Sequence, residues 1–113
     1  FDDDNKILVK DFPYESIYPG RICKTEFVLI LNDRRIRIEF KSQDMPGSTD
    51  EKIPYLLENV RHSFPEDEVI LGIIGQGWRP GIKEYVNKQK FKNKKVLIFY
   101  DYDKLEEYVS TIV

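Results

Sequence analysis

The sequence predicts an α/β (α+β mixed) fold: one mixed β-sheet flanked by helices, antiparallel at its front and parallel behind. Three observations predict it. Arg35-Ile36-Arg37-Ile38-Glu39-Phe40-Lys41-Ser42-Gln43 alternates polar and mostly apolar positions, the period of a half-buried strand. Val69-Ile70-Leu71-Gly72-Ile73-Ile74 and Lys95-Val96-Leu97-Ile98-Phe99-Tyr100 are nearly continuous apolar runs, as in parallel strands covered on both faces. The segment between those runs holds a helix from about Gly81 to Gln89, which makes a strand–helix–strand crossover.

Taken in order, Ile7-Leu8-Val9 reads as a short first strand. Pro13 to Gly20 reads as a loop, because two prolines and a glycine punctuate it. Thr25 to Leu31 is a second strand, turned back by Asn32-Asp33, residues that tolerate a left-handed backbone. A two-residue turn there pairs Leu31 with Arg34, Ile30 with Arg35, Val28 with Arg37 and Glu26 with Glu39. Ser48 and Glu51 have capping-box spacing, while Pro54 forbids a continuous helix from Ser48. A single turn over Thr49 to Lys52 followed by a helix from about Pro54, burying Leu56, Leu57 and Val60, satisfies both. Asp103 is positioned to cap a last helix through Leu105, Tyr108 and Val109.

On the third strand Ile36, Ile38 and Phe40 face a core, and Arg35, Arg37, Glu39, Lys41 and Gln43 share the other face. With Glu26 opposite Glu39, two carboxylates approach and repel unless a positive group lies between them. A hard divalent cation such as Mg²⁺ satisfies them, and a salt-bridge cluster with Lys41 or Arg37 does so equally well. Spacing alone leaves both readings open.

Lys24-Thr25-Glu26-Phe27, Glu39-Phe40-Lys41-Ser42-Gln43 and Gly47-Ser48-Thr49-Asp50-Glu51-Lys52-Ile53-Pro54-Tyr55, in that order, resemble the PD-(D/E)xK nuclease superfamily. The resemblance covers the chain from about Ile7 onward. It implies a restriction-endonuclease-like core and a metal-dependent endonuclease hydrolysing DNA phosphodiester bonds with Mg²⁺, or Mn²⁺ in its place. Glu26 takes the position of the first acid, and Glu39 and Lys41 those of the third-strand motif. Gln43 extends that face toward the scissile phosphate, and the backbone carbonyl near Phe40 completes the metal ligands. The chain departs from the pattern where Thr25-Glu26 stands for Pro-Asp. Only Phe1 to Lys6 precede the first strand, where such cores carry a helix. With Phe1 in place of methionine, the chain reads as a fragment, a processed product or a domain cut from a longer parent protein, without the first helix of such a core. The alternative is a catalytically inactive nuclease-fold module that binds nucleic acid or a protein partner.

At 113 residues the chain makes a single nuclease-like domain over residues 1–113, enough to bury about two-thirds of its unfolded surface. A net charge of −2 argues against strong nonspecific binding to nucleic acid, so binding to DNA must come from local patches. The candidates are Arg35 and Arg37 beside the site, Lys52, Lys83 and Lys88, with Trp78 stacking on a base and Arg79 on phosphate. For Trp78 and the surrounding glycines, an ordinary turn covering the core edge is the favoured alternative. Asp2, Asp3 and Asp4 load one end with negative charge. One cysteine, Cys23, excludes internal disulfides, and no run reaches the ~20 apolar residues of a membrane helix. No membrane association and a cytoplasmic location are expected. Cutting both strands of a duplex takes two sites, which makes a homodimer one expectation.

Overall fold

The computed structural model describes residues 6–112, so Asp2, Asp3 and Asp4 lie outside the described residues. Five strands, β1 (Lys6–Glu15), β2 (Ile22–Leu31), β3 (Arg34–Ser42), β4 (Glu68–Ile74) and β5 (Lys95–Phe99), form one sheet in the order β1-β2-β3-β4-β5. The first three pair antiparallel, and β3, β4 and β5 run parallel. The mixed sheet anticipated above is therefore present.

The turn at Asn32-Asp33 has two residues. Asn32 takes the left-handed conformation (φ 54°), and Leu31, Ile30 and Val28 oppose Arg34, Arg35 and Arg37. The regular β2–β3 ladder ends at Phe27 opposite Ile38, however, so the expected Glu26–Glu39 pair is not part of it. A kink explains this. Val28 lies opposite Arg37, and the Thr25 hydroxyl accepts a hydrogen bond from Arg37 Nη1 at 3.0 Å, so both occupy one face. Strict alternation cannot put residues three apart on the same face, so β2 loses a step between them. The β1 partner shows the same break at Asp11, whose φ is 52°.

The first strand is much longer than Ile7–Val9. It continues through Pro13, which pairs with Lys24. A proline is tolerated because β1 is an edge strand and half its backbone donors need no sheet partner. The loop then closes in a tight turn, with Arg21 N–H donating to the Tyr18 carbonyl (3.0 Å) and Gly20 at φ 83°.

Helices α1 (Ile53–His62) and α2 (Gly81–Asn87) cover one side of the sheet. Ile53, Leu56, Leu57 and Val60 of α1 and Val86 of α2 pack with Val69, Leu71 and Ile73. Helix α3 (Tyr102–Ile112) covers the other, where Leu105 meets Leu29, Leu31, Ile36, Ile38 and Ile70. Pro54 sits in the first turn of α1, where a missing N–H is harmless. The expected capping box is absent: Ser48–Lys52 is a 3-10 turn with no side-chain cap. Asp101, not Asp103, caps α3, its Oδ1 accepting from the Asp103 N–H at 2.8 Å.

The polar face of β3 is solvated only at Arg35 and in part at Lys41; Arg37, Glu39 and Gln43 on it are buried. Arg37 is completely buried, and its guanidinium forks onto Glu66, Nη2 to Oε2 at 3.0 Å. It also donates to Thr25 and to the Phe12 and Pro13 carbonyls, among the rings of Phe12, Tyr14 and Phe64. This overturns the expectation that Arg37 binds nucleic acid: no phosphate reaches it. The reason is a partner 29 residues away that strand periodicity does not reveal.

Candidate active site

Glu39 stands on the α1 side of β3, four positions along the strand from the hairpin end, with Lys41 next on the same face. Lys41 Nζ lies 4.0 Å from Glu39 Oε2. The Glu39 side chain is 5% exposed and that of Lys41 33%. Both line a cleft of about 430 Å³ between β1–β3 and α1, together with Tyr14, Cys23 and Lys24 from the first two strands, Arg21 from the turn between them, and Lys52, Tyr55 and Asn59 from α1 and the turn before it.

Burial raises the Glu39 pKa from 4.5 to about 7, since it penalises the charged form. Lys41 opposes that shift, the charge of Glu26 adds to it, and the backbone amides of Glu26 and Phe40 favour the ionised form. Glu39 therefore holds its proton to a higher pH than an ordinary glutamate does. Tyr14 is pushed well above its usual pKa, chiefly by burial, and keeps its hydroxyl proton. Cys23 Sγ lies 3.5 Å from Tyr55 Oη, and Tyr55 stacks on Tyr18 at 5.4 Å.

The expected site residues fall into three groups. Glu39, Lys41 and Lys52 meet in the cleft. Glu26 and Phe40 border it: Glu26 is exposed, does not line the cleft, and acts on Glu39 through its charge and its amide. The Phe40 ring packs on the other side of the sheet near Phe27 and Tyr102, which leaves its backbone between Glu39 and Lys41. The remainder lie elsewhere. Gln43 is buried and its amide is committed, Nε2 donating to Asp50 Oδ1 (2.7 Å) and the Gly77 carbonyl (2.9 Å) while Oε1 accepts from Thr49 N–H (2.9 Å). It holds the turn before α1 in place and has no group left for a phosphate, which corrects the expected contact. The Trp78 indole donates to the Ile74 carbonyl at 2.8 Å and its ring covers the core edge, which corrects the stacking role. Gly77 lies so close to Met45 that an added Cβ would sit 2.4 Å from the Met45 carbonyl oxygen, so that glycine serves packing.

Arg79 lies 3.1 Å from Asp50 Oδ2, an ion pair without hydrogen-bond alignment. Arg35 is exposed at the hairpin end, about 13 Å along the strand from Glu39. Lys83 rests over Tyr100, and Lys88 pairs with Glu84 one turn back at 3.0 Å. None of these four lines the cleft. Its cations are Arg21, Lys24, Lys41 and Lys52. Sequence reasoning passed over Arg21, Lys24 and Asn59. For Asn59 the available signal was the i, i+3, i+7 polar stripe Lys52, Tyr55, Asn59, which runs from the turn before α1 along one face of that helix.

No group of three or more His, Cys, Asp or Glu side chains suited to a metal occurs among the described residues. One or two carboxylates with a backbone carbonyl still fit a cation that keeps much of its water shell, as Mg²⁺ does.

A model of a PD-(D/E)XK nuclease superfamily domain matches residues 4–109, and the chain belongs to that superfamily. Its members generally use divalent metals. No curated protein matches the sequence. No helix among the described residues is long and apolar enough to cross a membrane.

Proposed function

We propose that this domain is a metal-dependent endonuclease that hydrolyses DNA phosphodiester bonds at the Glu39–Lys41 pair. The observation that carries the reading is the buried Glu39 carboxyl 4.0 Å from Lys41 Nζ, in a cleft whose other charged lining residues are all cations. Glu39 and the Phe40 carbonyl, supported by Glu26, would hold Mg²⁺, with Mn²⁺ as a substitute. When bound, the cation supplies charge neutralisation and an acidified water. Lys41 stabilises negative charge developing on the phosphate oxygens. Arg21, Lys24 and Lys52 bind the flanking phosphates of the strand. Tyr14, held protonated, donates hydrogen bonds at the cleft wall.

A second reading has one observation in its favour. With Glu26 exposed, Glu39 is the sole carboxylate lining the cleft, which suits a nuclease fold that binds nucleic acid without cutting it. End-labelled duplex and single-stranded DNA incubated with Mg²⁺, Mn²⁺ or EDTA separates the two. Internal cuts that appear with either metal and vanish in EDTA support the endonuclease. Metal-independent binding without cuts supports the binding module.

A further inference from the structure

Residues 16–21 join β1 to β2 at the rim of the cleft, to which they contribute Arg21. Hydrogen bonds fix this turn. Ser16 N–H donates to the Arg21 carbonyl at 2.9 Å, and Arg21 N–H to the Tyr18 carbonyl at 3.0 Å. Ser16 Oγ accepts the Tyr18 N–H at 3.2 Å. Ile17 N–H donates to Oδ1 of Asn59 at 2.8 Å, which ties the turn to α1.

Held in this way, the turn presents Tyr18 to solvent, 59% exposed. One face of its ring stacks on Tyr55 of the cleft wall, with centroids 5.4 Å apart and 17° between the planes. A ring covered on one face and still more than half exposed has its other face open. That outer face contributes nothing to the fold, and a second flat ring would cover it favourably. Because the turn is already ordered, little freedom is lost when it binds.

The charges of the cleft say which ring. Arg21, Lys24, Lys41 and Lys52 face a single carboxylate, Glu39. An open aromatic face beside a cationic groove is how proteins hold unpaired nucleic acid: the cations track the phosphates and the rings stack on the bases. In a duplex the base faces are covered by their neighbours, so only a base out of its stack matches Tyr18. The size of the cleft agrees, since about 430 Å³ takes one nucleotide and not both strands of a duplex.

Building on the endonuclease reading, we propose that Tyr18 is the stacking platform for an unpaired base flanking the scissile phosphate, so that the substrate is single-stranded or locally unpaired nucleic acid. The strand lays its phosphates on Arg21, Lys24 and Lys52 and one base on the outer face of Tyr18. Negative supercoiling eases unpairing, so a supercoiled plasmid remains a substrate.

The test is binding in EDTA, where no bond is cut, so failure of the endonuclease reading shows in the metal assay and not here. A fluorescent oligonucleotide without self-complementarity is compared, by anisotropy, with the same strand annealed to its complement. The wild type is expected to bind the single strand about tenfold tighter than the duplex. Tyr18→Ala should lose about tenfold in affinity for the single strand and stay within about twofold for the duplex. Tyr18→Phe keeps the ring and should bind as the wild type does. Tyr18→Leu keeps apolar cover over Tyr55 without a ring face and should behave as the alanine variant. A wild type that prefers the duplex, an alanine variant that binds the single strand as well as the wild type, or an equal loss on both DNAs overturns the proposal, even if the wild type cuts DNA with Mg²⁺.

Discussion

Replacing Glu39 by glutamine keeps the shape of the side chain and removes its titration. In the folded chain Glu39 titrates near 7, against 4.5 for an ordinary glutamate. Between those values the unfolded chain has released a proton that the folded chain still holds. Stability therefore falls as pH rises through this window and is level above it. At ~1.4 kcal/mol per pH unit, the ionised carboxylate costs the fold about 3 kcal/mol at pH 8. Glu39→Gln avoids this, so urea unfolding at pH 8 should show the variant more stable by about 2–3 kcal/mol, with little difference at pH 4.5. On the proposed function, the variant should also lose metal-dependent cleavage. Equal stability of variant and wild type at pH 8 would refute the claim that burial sets the state of this carboxyl.

The same proton competes with a bound cation. Mn²⁺ affinity, followed by calorimetry, should rise roughly 20–30-fold from pH 5.5 to 7.5 and then level off; an affinity flat across that range would place the metal elsewhere. Arg37→Met leaves Glu66 buried without its partner and should destabilise the fold by about 3–5 kcal/mol in chemical denaturation, whereas a surface arginine would change it by under ~1 kcal/mol. Gly72→Ala puts a methyl 2.8 Å from Leu105 Cδ1 and 2.9 Å from Phe40 Cβ. Overpacking of that kind should cost ~1–3 kcal/mol by lifting α3 from the sheet, and a neutral result would show that α3 moves freely there.

The hairpin shows how far local rules reach. Asn32-Asp33 named the turn, and counting back from a two-residue loop placed Leu31, Ile30 and Val28 opposite their observed partners. Turn chemistry and strand period act over a few residues, so they are readable in a single sequence. The kink near Glu26 is different. It depends on a left-handed Asp11 in the neighbouring strand, and no glycine marks it. By counting, Glu26 belongs in the cleft; in the structure it borders it.

Arg37 misleads for a related reason. In an alternating strand, a charged residue reads as facing solvent. What buries it is the loop between α1 and β4, which brings Phe64 and Glu66 against it, together with Phe12 and Tyr14 of β1. Gln43 and Trp78 sat beside the expected chemistry in sequence, but their polar groups turned out to be spent on backbone carbonyls and on Asp50. Glu39 and Lys41 could be singled out because two residues on one strand face need no tertiary information to be neighbours. The rest of the cleft is assembled by the β1–β2 turn and α1, elements distant in sequence from β3.

The central claim is that Glu39 and Lys41 form a working centre. Its most direct test is conversion of supercoiled plasmid to nicked and linear forms with Mg²⁺ or Mn²⁺, comparing wild type with Lys41→Ala. Lys41 is partly exposed and outside the apolar core, so the variant should fold as the wild type does. Cleavage by the wild type and at least a hundredfold less by the variant is the predicted result. Equal cleavage by the two would contradict the account.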